Sequence, residues 1–455
     1  MKTTTVILAA GKGTRMRSEL PKILHPICGL PMIFHALQAA RSASTETPVV
    51  VIGHAADEVR SKIGDSAVCV VQEEQLGTGH AVLQAEALLK NKTDLVLVTY
   101  GDMPLLRAET LQQLVLAQQN NNGPISLLTV KNDNPRGFGR ILRRQDGTVA
   151  AIIEEAQAEP EQLLIRELNV GAYCFNAGWL WDALHRIQLS PKGEYYLTDT
   201  IALAVQDGLP VQALLMDDFI ETIGVNSRVH LAEAEAAMRR RINEDHMLSG
   251  VTIIDPASTY IESKVTIGRD SVIWPNTYLF GKTVIGENCQ VGPSSYIRDT
   301  QIGNFSKVLM AVTESAVIED HVDIGPFARL RKGAYLSKGV HMGNFGEIKD
   351  STLGPGVKMG HFSYIGNAQI GEGTNIGAGT ITCNFDGENK FPTVIGEDVF
   401  IGSDTMLVAP VTLGDGARTG AGAIVTKNVA PDTLVVGMPA RAIRKLVRKP
   451  RKKEN

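Results

Sequence analysis

Apolar and polar positions along this chain change rhythm near residue 250. Before it, short apolar runs at residues 4–9, 49–52, 68–72, 94–99 and 125–130 predict strands. Between them lie stretches with helical spacing at 32–41, 79–89 and 110–120, the first opened by Pro31, which suits the first turn of a helix. Strands alternating with helices predict an open, mostly parallel sheet with helices on both faces, a Rossmann-like α/β layout. Ligands in such sheets bind outside the carboxyl ends of the strands.

After residue 250 an aliphatic residue followed by Gly keeps returning. Ile267-Gly268, Ile285-Gly286 and Val291-Gly292 begin the series; Met359-Gly360, Ile365-Gly366, Ile370-Gly371 and Ile376-Gly377 continue it; Ile395-Gly396, Ile401-Gly402, Leu407-Val408 and Leu413-Gly414 extend it. The usual step is 6, which no helix of period 3.6 can satisfy. A hexapeptide period predicts a left-handed parallel β-helix, three hexads per triangular coil, with the aliphatic side chains stacked inside. The pattern is interrupted twice, near 308–315 and at 383–392. The second stretch is too polar for a coil and reads as a protruding loop, where binding groups tend to sit.

Residues 226–247 are free of Gly and Pro and rich in Ala, Glu and Arg, which predicts one long helix. Its Arg239-Arg240-Arg241 run reads as a solvated face. The expected organisation is therefore an α/β domain over 1–225, a linker helix over 226–250, the β-helix over 251–437 and a basic tail over 438–455. The tail from Arg441 to Lys453 holds eight Lys or Arg, a composition typical of solvated ends.

Bulk properties narrow the class. A net charge of −4 argues against a general nucleic-acid surface. No run approaches the length of a membrane span, and no signal peptide opens the chain, so a cytoplasmic protein is expected. Five well-separated cysteines without a CxxC pair point to a reducing compartment rather than to disulfides or structural zinc.

Candidate chemistry begins at Leu8-Ala9-Ala10-Gly11-Lys12-Gly13-Thr14-Arg15-Met16, where a strand runs into a Gly-rich turn carrying two cations. Successive backbone N–H groups there can cradle phosphate, and Lys12, Arg15 and nearby Lys22 supply charge. The turn matches neither the ATPase P-loop nor the dinucleotide fingerprint. Asp102, at the end of a strand in Tyr100-Gly101-Asp102, can hold Mg²⁺ through oxygen.

This turn with Leu20-Pro21-Lys22, the segment from Gln72 through Gly77-Thr78-Gly79-His80, and Tyr100-Gly101-Asp102-Met103-Pro104 together resemble the sugar-1-phosphate nucleotidyltransferases. With the hexad half, the chain resembles the bifunctional bacterial family that acetylates glucosamine 1-phosphate and uridylylates the product to UDP-N-acetylglucosamine. The resemblance implies that Leu8, Ala9, Ala10, Gly11 and Lys22 contact UTP, with Arg15 and Lys22 catalytic. It implies that Gln72, Gly77 and Thr78 read uracil beside Tyr100 and Gly101. It assigns Gly139, Glu154 and Asn169 to the sugar, and Asp102 and Asn226 to Mg²⁺.

For the rod the resemblance implies a second site. Amine acetylation requires a base, since an ammonium has no lone pair, and histidine ordinarily titrates near neutral pH. His361 matches the family's catalytic histidine. Arg331, Lys349, Tyr364 and Asn375 match its glucosamine 1-phosphate contacts. Ala378, Asn384, Phe385, Ser403 and Ala421 match its acetyl-CoA contacts. The family implies a homotrimer, with small-molecule substrates only and no nucleic acid or membrane partner. Two positions depart from the family: Phe385 stands where Tyr is common, and Met438 where close members of the family carry an Arg against CoA. Arg441, Arg444 or Lys445 are alternative sources of that charge. The alternative reading is a single nucleotidyltransferase whose rod is an oligomerising scaffold; a non-catalytic subunit that kept the fold is a third.

Overall fold

The computed structural model describes residues 1–135 and 137–445, which divide into two compact units on either side of the Met238–Arg239 bond. The first is built on β1 (Thr3–Ala9), β2 (Val49–Ile52), β3 (Val68–Val71), β4 (Leu95–Tyr100), β5 (Ile125–Lys131), β6 (Arg140–Arg143), β7 (Val149–Ile153), β8 (Glu167–Asn176) and β9 (Val211–Met216). Their main order is β9-β5-β8-β4-β1-β2-β3, with the β6–β7 hairpin attached through β8. β1 is buried along its whole length, and its parallel pairing with both β2 and β4 places Ala9 beside Ile52 and Leu8 beside Tyr100. Only β8 runs against its neighbours β4 and β5 in the main path. The helices are α1 (Met32–Ala43), α2 (Ala56–Ile63), α3 (Thr78–Leu83), α4 (Glu86–Leu89), α5 (Ala108–Gln119), α6 (Ala177–Arg186) and α7 (Asp199–Gln206), and α8 (Arg228–Leu248) follows. The single helix expected over 79–89 is two short ones, α3 and α4, because the chain turns at Gln84–Ala85.

Two separate apolar layers clasp the sheet. Val6, Val49, Val96 and Val98 face Trp181 and Leu180, whereas Ile7, Val50 and Ile52 face Ile33 and Leu37 of α1. The period-2 alternation along β1 thus feeds both layers.

The second unit is a left-handed parallel β-helix of hexapeptide repeats with three ladders of 12, 10 and 9 strands, in which only the last strand of the first ladder, Arg441–Lys445, pairs antiparallel among the described residues. They begin at Thr252–Ile253, Tyr260–Ile261 and Thr266–Ile267. Inward residues stack coil on coil: Ile273, Val291, Val308 and Ile324 on the first ladder, Leu279, Ile297, Thr313, Leu330 and Ile348 on the second. Each fully buried aliphatic side chain contributes roughly 1.5–3 kcal/mol.

The interruption expected near 308–315 is not a break. Lys307–Val308 and Val312–Glu314 are ordinary rungs, and Tyr296 pairs with Val312 and Gln301 with Val317, two residues short of the usual 18. The corners tighten there while the ladder continues. The expected protrusion does occur: Gln369 pairs with Val394, and the inserted loop carries a Phe385–Lys390 bridge. Arg239 also departs from expectation: its guanidinium lies 4.1 Å above the Tyr260 ring rather than in solvent. Asn243 is fully buried and donates to Pro256 O and Thr259 O, tying the end of α8 to the first coil.

Candidate active sites

In the first unit a cleft of two lobes lies at the carboxyl ends of β1, β3 and β4. One lobe, about 370 Å³, is lined by the Leu8–Gly11 turn, Lys22, Gln72, Gly77 and Thr78. The other, about 300 Å³, is lined by Gly139, Glu154, Asn169 and Asn226. Thr78, Tyr100, Asp102 and Tyr196 belong to both.

The point between the lobes is held by charge. Lys22 Nζ is ion-paired with Asp102 and donates to Asn226 Oδ1 at 3.1 Å. Three chain segments meet here because Gly101 N–H bonds to Leu8 O and Val225 N–H to Asp102 O. Gln72 is buried just beyond β3, donating to Gly77 O at 3.1 Å and lying 3.0 Å from His80 Nδ1. Gly77 has φ +100°, and a Cβ there would fall 2.7 Å from Tyr195 O. The close approach lets Tyr195 N–H reach Leu76 O and Gly79 N–H reach Tyr195 O, so the segment 194–197 forms one wall. Leu197 N–H adds a bond to the Thr78 hydroxyl.

In the other lobe Glu154 accepts from the Thr198 hydroxyl at 3.1 Å. Asn169 donates to the Tyr173 hydroxyl at 2.7 Å and its Oδ1 accepts from Gly171 N–H, which shapes the bulge in β8. Burial raises the Tyr100 hydroxyl pKa well above the ordinary value, with Asp102 and Glu154 adding to the shift, so it stays neutral. The Asp199 carboxyl is raised by burial and by Glu154.

Most expected residues of this site converge. Gly101 is buried beneath the lobes between them. Lys12 and Arg15 are exposed on and after the turn and line neither lobe. Sequence reasoning missed Gln75, whose amide donates to Ala10 O, together with Glu194 and Tyr196.

On the rod, His361, Ala378, Ser403 and Ala421 occupy one corner in successive coils. Each follows a Gly at the end of a first-ladder strand and precedes a second-ladder strand. Gly379 N–H to Phe362 O, Asp404 N–H to Ala378 O and Gly422 N–H to Ser403 O bind the corners together. Coils of a parallel ladder rise by about 4.8 Å, so the column forms a track down from an exposed imidazole.

Cations gather at the carboxyl ends of strands midway along the second ladder. Arg331 and Lys349 lie one residue past the paired Leu330 and Ile348, and Lys349 faces Gly366. Lys390, from the inserted loop, pushes the Lys349 ammonium below its ordinary pKa, desolvation and Arg331 add to the shift, and Asp350 at 3.8 Å opposes it. Arg331 also pairs with Glu347 at 2.9 Å. Tyr364 leans across Gly366, where an added Cβ would fall 2.5 Å from its hydroxyl and 3.0 Å from Asn384 Nδ2. Asn384 is held by Asn367 Oδ1 at 2.6 Å, whereas Phe385 is exposed. Asn375 lies on the first ladder, three residues before Ala378. Sequence reasoning missed Lys390, although its loop was flagged. Met438 is exposed, as are Arg441, Arg444 and Lys445; the tail beyond 445 lies outside the described residues.

A nucleotidyltransferase sheet joined to a hexapeptide-repeat rod defines a class of two-domain transferases. Residues 5–172 match the MobA-like NTP transferase domain, and 392–427 match the bacterial transferase hexapeptide, six repeats. The chain is 45% identical to the bifunctional protein GlmU of Streptococcus agalactiae serotype V over 96% of its own length and 95% of the relative's. It is 47% identical to that of Syntrophomonas wolfei, over 96% and 97%, and 46% identical to that of a Geobacillus species, over 98% and 97%. The chain belongs to the GlmU family of bifunctional proteins.

Proposed function

We propose that the chain makes UDP-N-acetylglucosamine by two transfers, at two sites. In the rod, acetyl passes from acetyl-CoA to the amine of glucosamine 1-phosphate. In the first unit, the phosphate of N-acetylglucosamine 1-phosphate then attacks the α-phosphorus of UTP and pyrophosphate leaves. The domain boundaries follow as 1–225 for uridylyl transfer, 226–250 for the linker, 251–437 for acetyl transfer and 438–455 for the tail.

In acetyl transfer, His361 takes a proton from the sugar amine as nitrogen attacks the thioester carbonyl, and CoA leaves as the thiol once protonated. Arg331, Lys349 and Lys390 hold the sugar phosphate; Tyr364 and Asn375 orient the sugar. Ala378, Asn384, Phe385, Ser403 and Ala421 hold acetyl-CoA along the corner track. Assembly as a homotrimer would complete this site from neighbouring copies, a reading supported by the flat faces of a hexapeptide rod.

In uridylyl transfer, the Leu8–Gly11 backbone and Lys22 hold the triphosphate, with Lys12 and Arg15 able to meet its outer phosphates from the exposed turn. Gln72, Gly77 and Thr78 satisfy the uracil edge, and Gly139, Glu154 and Asn169 the sugar. The Asp102 carboxylate and the Asn226 amide oxygen are hard donors that fit Mg²⁺, which binds through few protein oxygens plus substrate phosphates. When bound, Mg²⁺ supplies neutralisation of phosphate charge at the reacting centre. Among the described residues no helix is long and apolar enough to cross a membrane, and all five cysteines are free, which supports a cytoplasmic setting.

One observation supports the two-site reading over the scaffold alternative: Lys349, Lys390 and Arg331 crowd together in coils next to the one that carries His361, a like-charge cluster that an inert rod would not need. The test follows free CoA thiol from acetyl-CoA with glucosamine 1-phosphate, beside pyrophosphate release from UTP with N-acetylglucosamine 1-phosphate. His361→Ala should lose the first and keep the second. Absence of thiol release in the unsubstituted protein would leave a single-function uridylyltransferase.

A further inference from the structure

Two segments of the first unit, 102–107 and 221–226, run between the same two fastenings. At one end Val225 N–H donates to Asp102 O at 2.9 Å. At the other, the Glu221 carboxylate accepts from Arg107 N–H at 2.8 Å and from the Thr110 hydroxyl at 2.8 and 3.0 Å. The Arg107 guanidinium adds a contact at 3.7 Å.

Glu221 is only 5% exposed. Burying a carboxylate is unfavourable unless donors replace its water. Here they do, and they are the groups at the start of α5. The residue before that helix, Arg107, gives no side-chain cap of its own. Glu221 supplies it from more than 100 residues away, with its negative charge at the positive end of the helix. It lines neither lobe of the cleft. What it does is close a ring: Asp102 leads to α5, Glu221 leads to Asn226, and both ends are tied.

We propose that Glu221 is a positioning residue for uridylyl transfer, setting the Asp102 carboxylate against the Asn226 amide and thereby the affinity for the divalent cation. The inference rests on the reading that Asp102 and Asn226 hold the metal. Groups that orient metal ligands from behind typically change metal affinity by about 10–100-fold when removed.

The test uses the full-length protein with Mn²⁺ as probe, its binding followed by electron paramagnetic resonance in the presence of UTP. Glu221→Ala should weaken Mn²⁺ binding at least about 10-fold. Glu221→Gln, which keeps an acceptor oxygen, should weaken it less. The Mg²⁺ concentration for half-maximal pyrophosphate release should rise in the same order, with a smaller effect on kcat at saturating metal. Acetyl transfer should be unchanged. Wild-type Mn²⁺ affinity in Glu221→Ala, or a kcat loss with unchanged metal affinity, overturns the proposal. Asp102→Asn separates the two levels: if it too leaves Mn²⁺ binding intact, the metal reading itself is wrong. Should Glu221→Ala not fold, Glu221→Gln and Thr110→Val give the same two outcomes.

Discussion

Lys22 and Asp102, separated by 80 residues, form an ion pair between the two lobes of the cleft. The lysine side chain is 12% exposed, so its charge acts with little screening by water. Asn226 Oδ1 is its other partner. On the proposed reading, a cation held at this point meets the triphosphate charge that develops during transfer. Lys22→Ala should therefore lower kcat for pyrophosphate release by about 10²–10³-fold, the usual loss for one such group. Thiol release by the rod should not change. Loss of both activities together would mean that the substitution acts through folding instead.

Gly77 gives a second test, of the wall built by residues 194–197. At φ +100° a side chain is strained, and a Cβ would also press on Tyr195 O at 2.7 Å and Tyr195 N at 2.8 Å. Gly77→Ala should raise KM for UTP and lower stability by about 1–3 kcal/mol. Gly147 is the control: its φ is +84°, but nothing lies within 4 Å of an added Cβ. Gly147→Ala should show the backbone strain in a thermal melt without the change in KM. Equal KM shifts in the two would detach the wall from nucleotide binding.

These two residues mark where the sequence is informative. The turn after β1 is legible because an apolar run ends in Gly and cations, and the hexads because one period outlasts local noise. Glu194 and Tyr196 were not legible. They sit in an irregular stretch with no period, and only its backbone bonds to Leu76 and Gly79 bring them to the cleft. Lys390 was hidden similarly, since the loop was visible but not its fold back onto Lys349. The apparent break near 308–315 misled because a tightened corner alters the spacing of Ile-Gly pairs without altering which strands pair.

The Lys349 ammonium is the group whose titration should be visible in binding. Lys390 first, then desolvation and Arg331, lower its pKa against the opposing Asp350. A lysine lowered on folding carries repulsion at every pH where it is protonated. That repulsion is relieved as pH rises through the lowered value, so stability rises with pH from there up to the unfolded value. A phosphate dianion has the opposite preference and favours the protonated form. Affinity for glucosamine 1-phosphate should hold below the lowered pKa and fall as pH rises through it, earlier than for an ordinary lysine. Lys390→Ala should weaken binding at neutral pH by about 10-fold, as loss of one charge-assisted contact does. It should also move the alkaline fall to higher pH, because Lys349 is no longer crowded. Calorimetric titration across pH reads both effects; an unmoved alkaline limb would show that Lys390 does not act on Lys349.

The corner column makes a prediction that separates the acyl donor from the acceptor. Ala421 is exposed and stands beneath Ser403, with Gly422 N–H bonded to Ser403 O, just before the last strand of the second ladder, while Arg331 and Lys349 lie at the carboxyl ends of its middle strands, several coils away. A large side chain at Ala421 should therefore obstruct acetyl-CoA without touching the phosphate of the sugar. Obstruction of this kind typically amounts to about 1–3 kcal/mol, roughly 5–150-fold in binding. Ala421→Trp should raise KM for acetyl-CoA by that factor, leave KM for glucosamine 1-phosphate unchanged, and retain most of kcat at saturating donor because His361 is untouched. Ser403→Ala, which removes only a hydroxyl, should raise the same KM by no more than about 10-fold. Equal rises in both KM values for Ala421→Trp would mean that donor and acceptor are not laid out along this corner, and the track from His361 through Ala378 and Ser403 would lose its support.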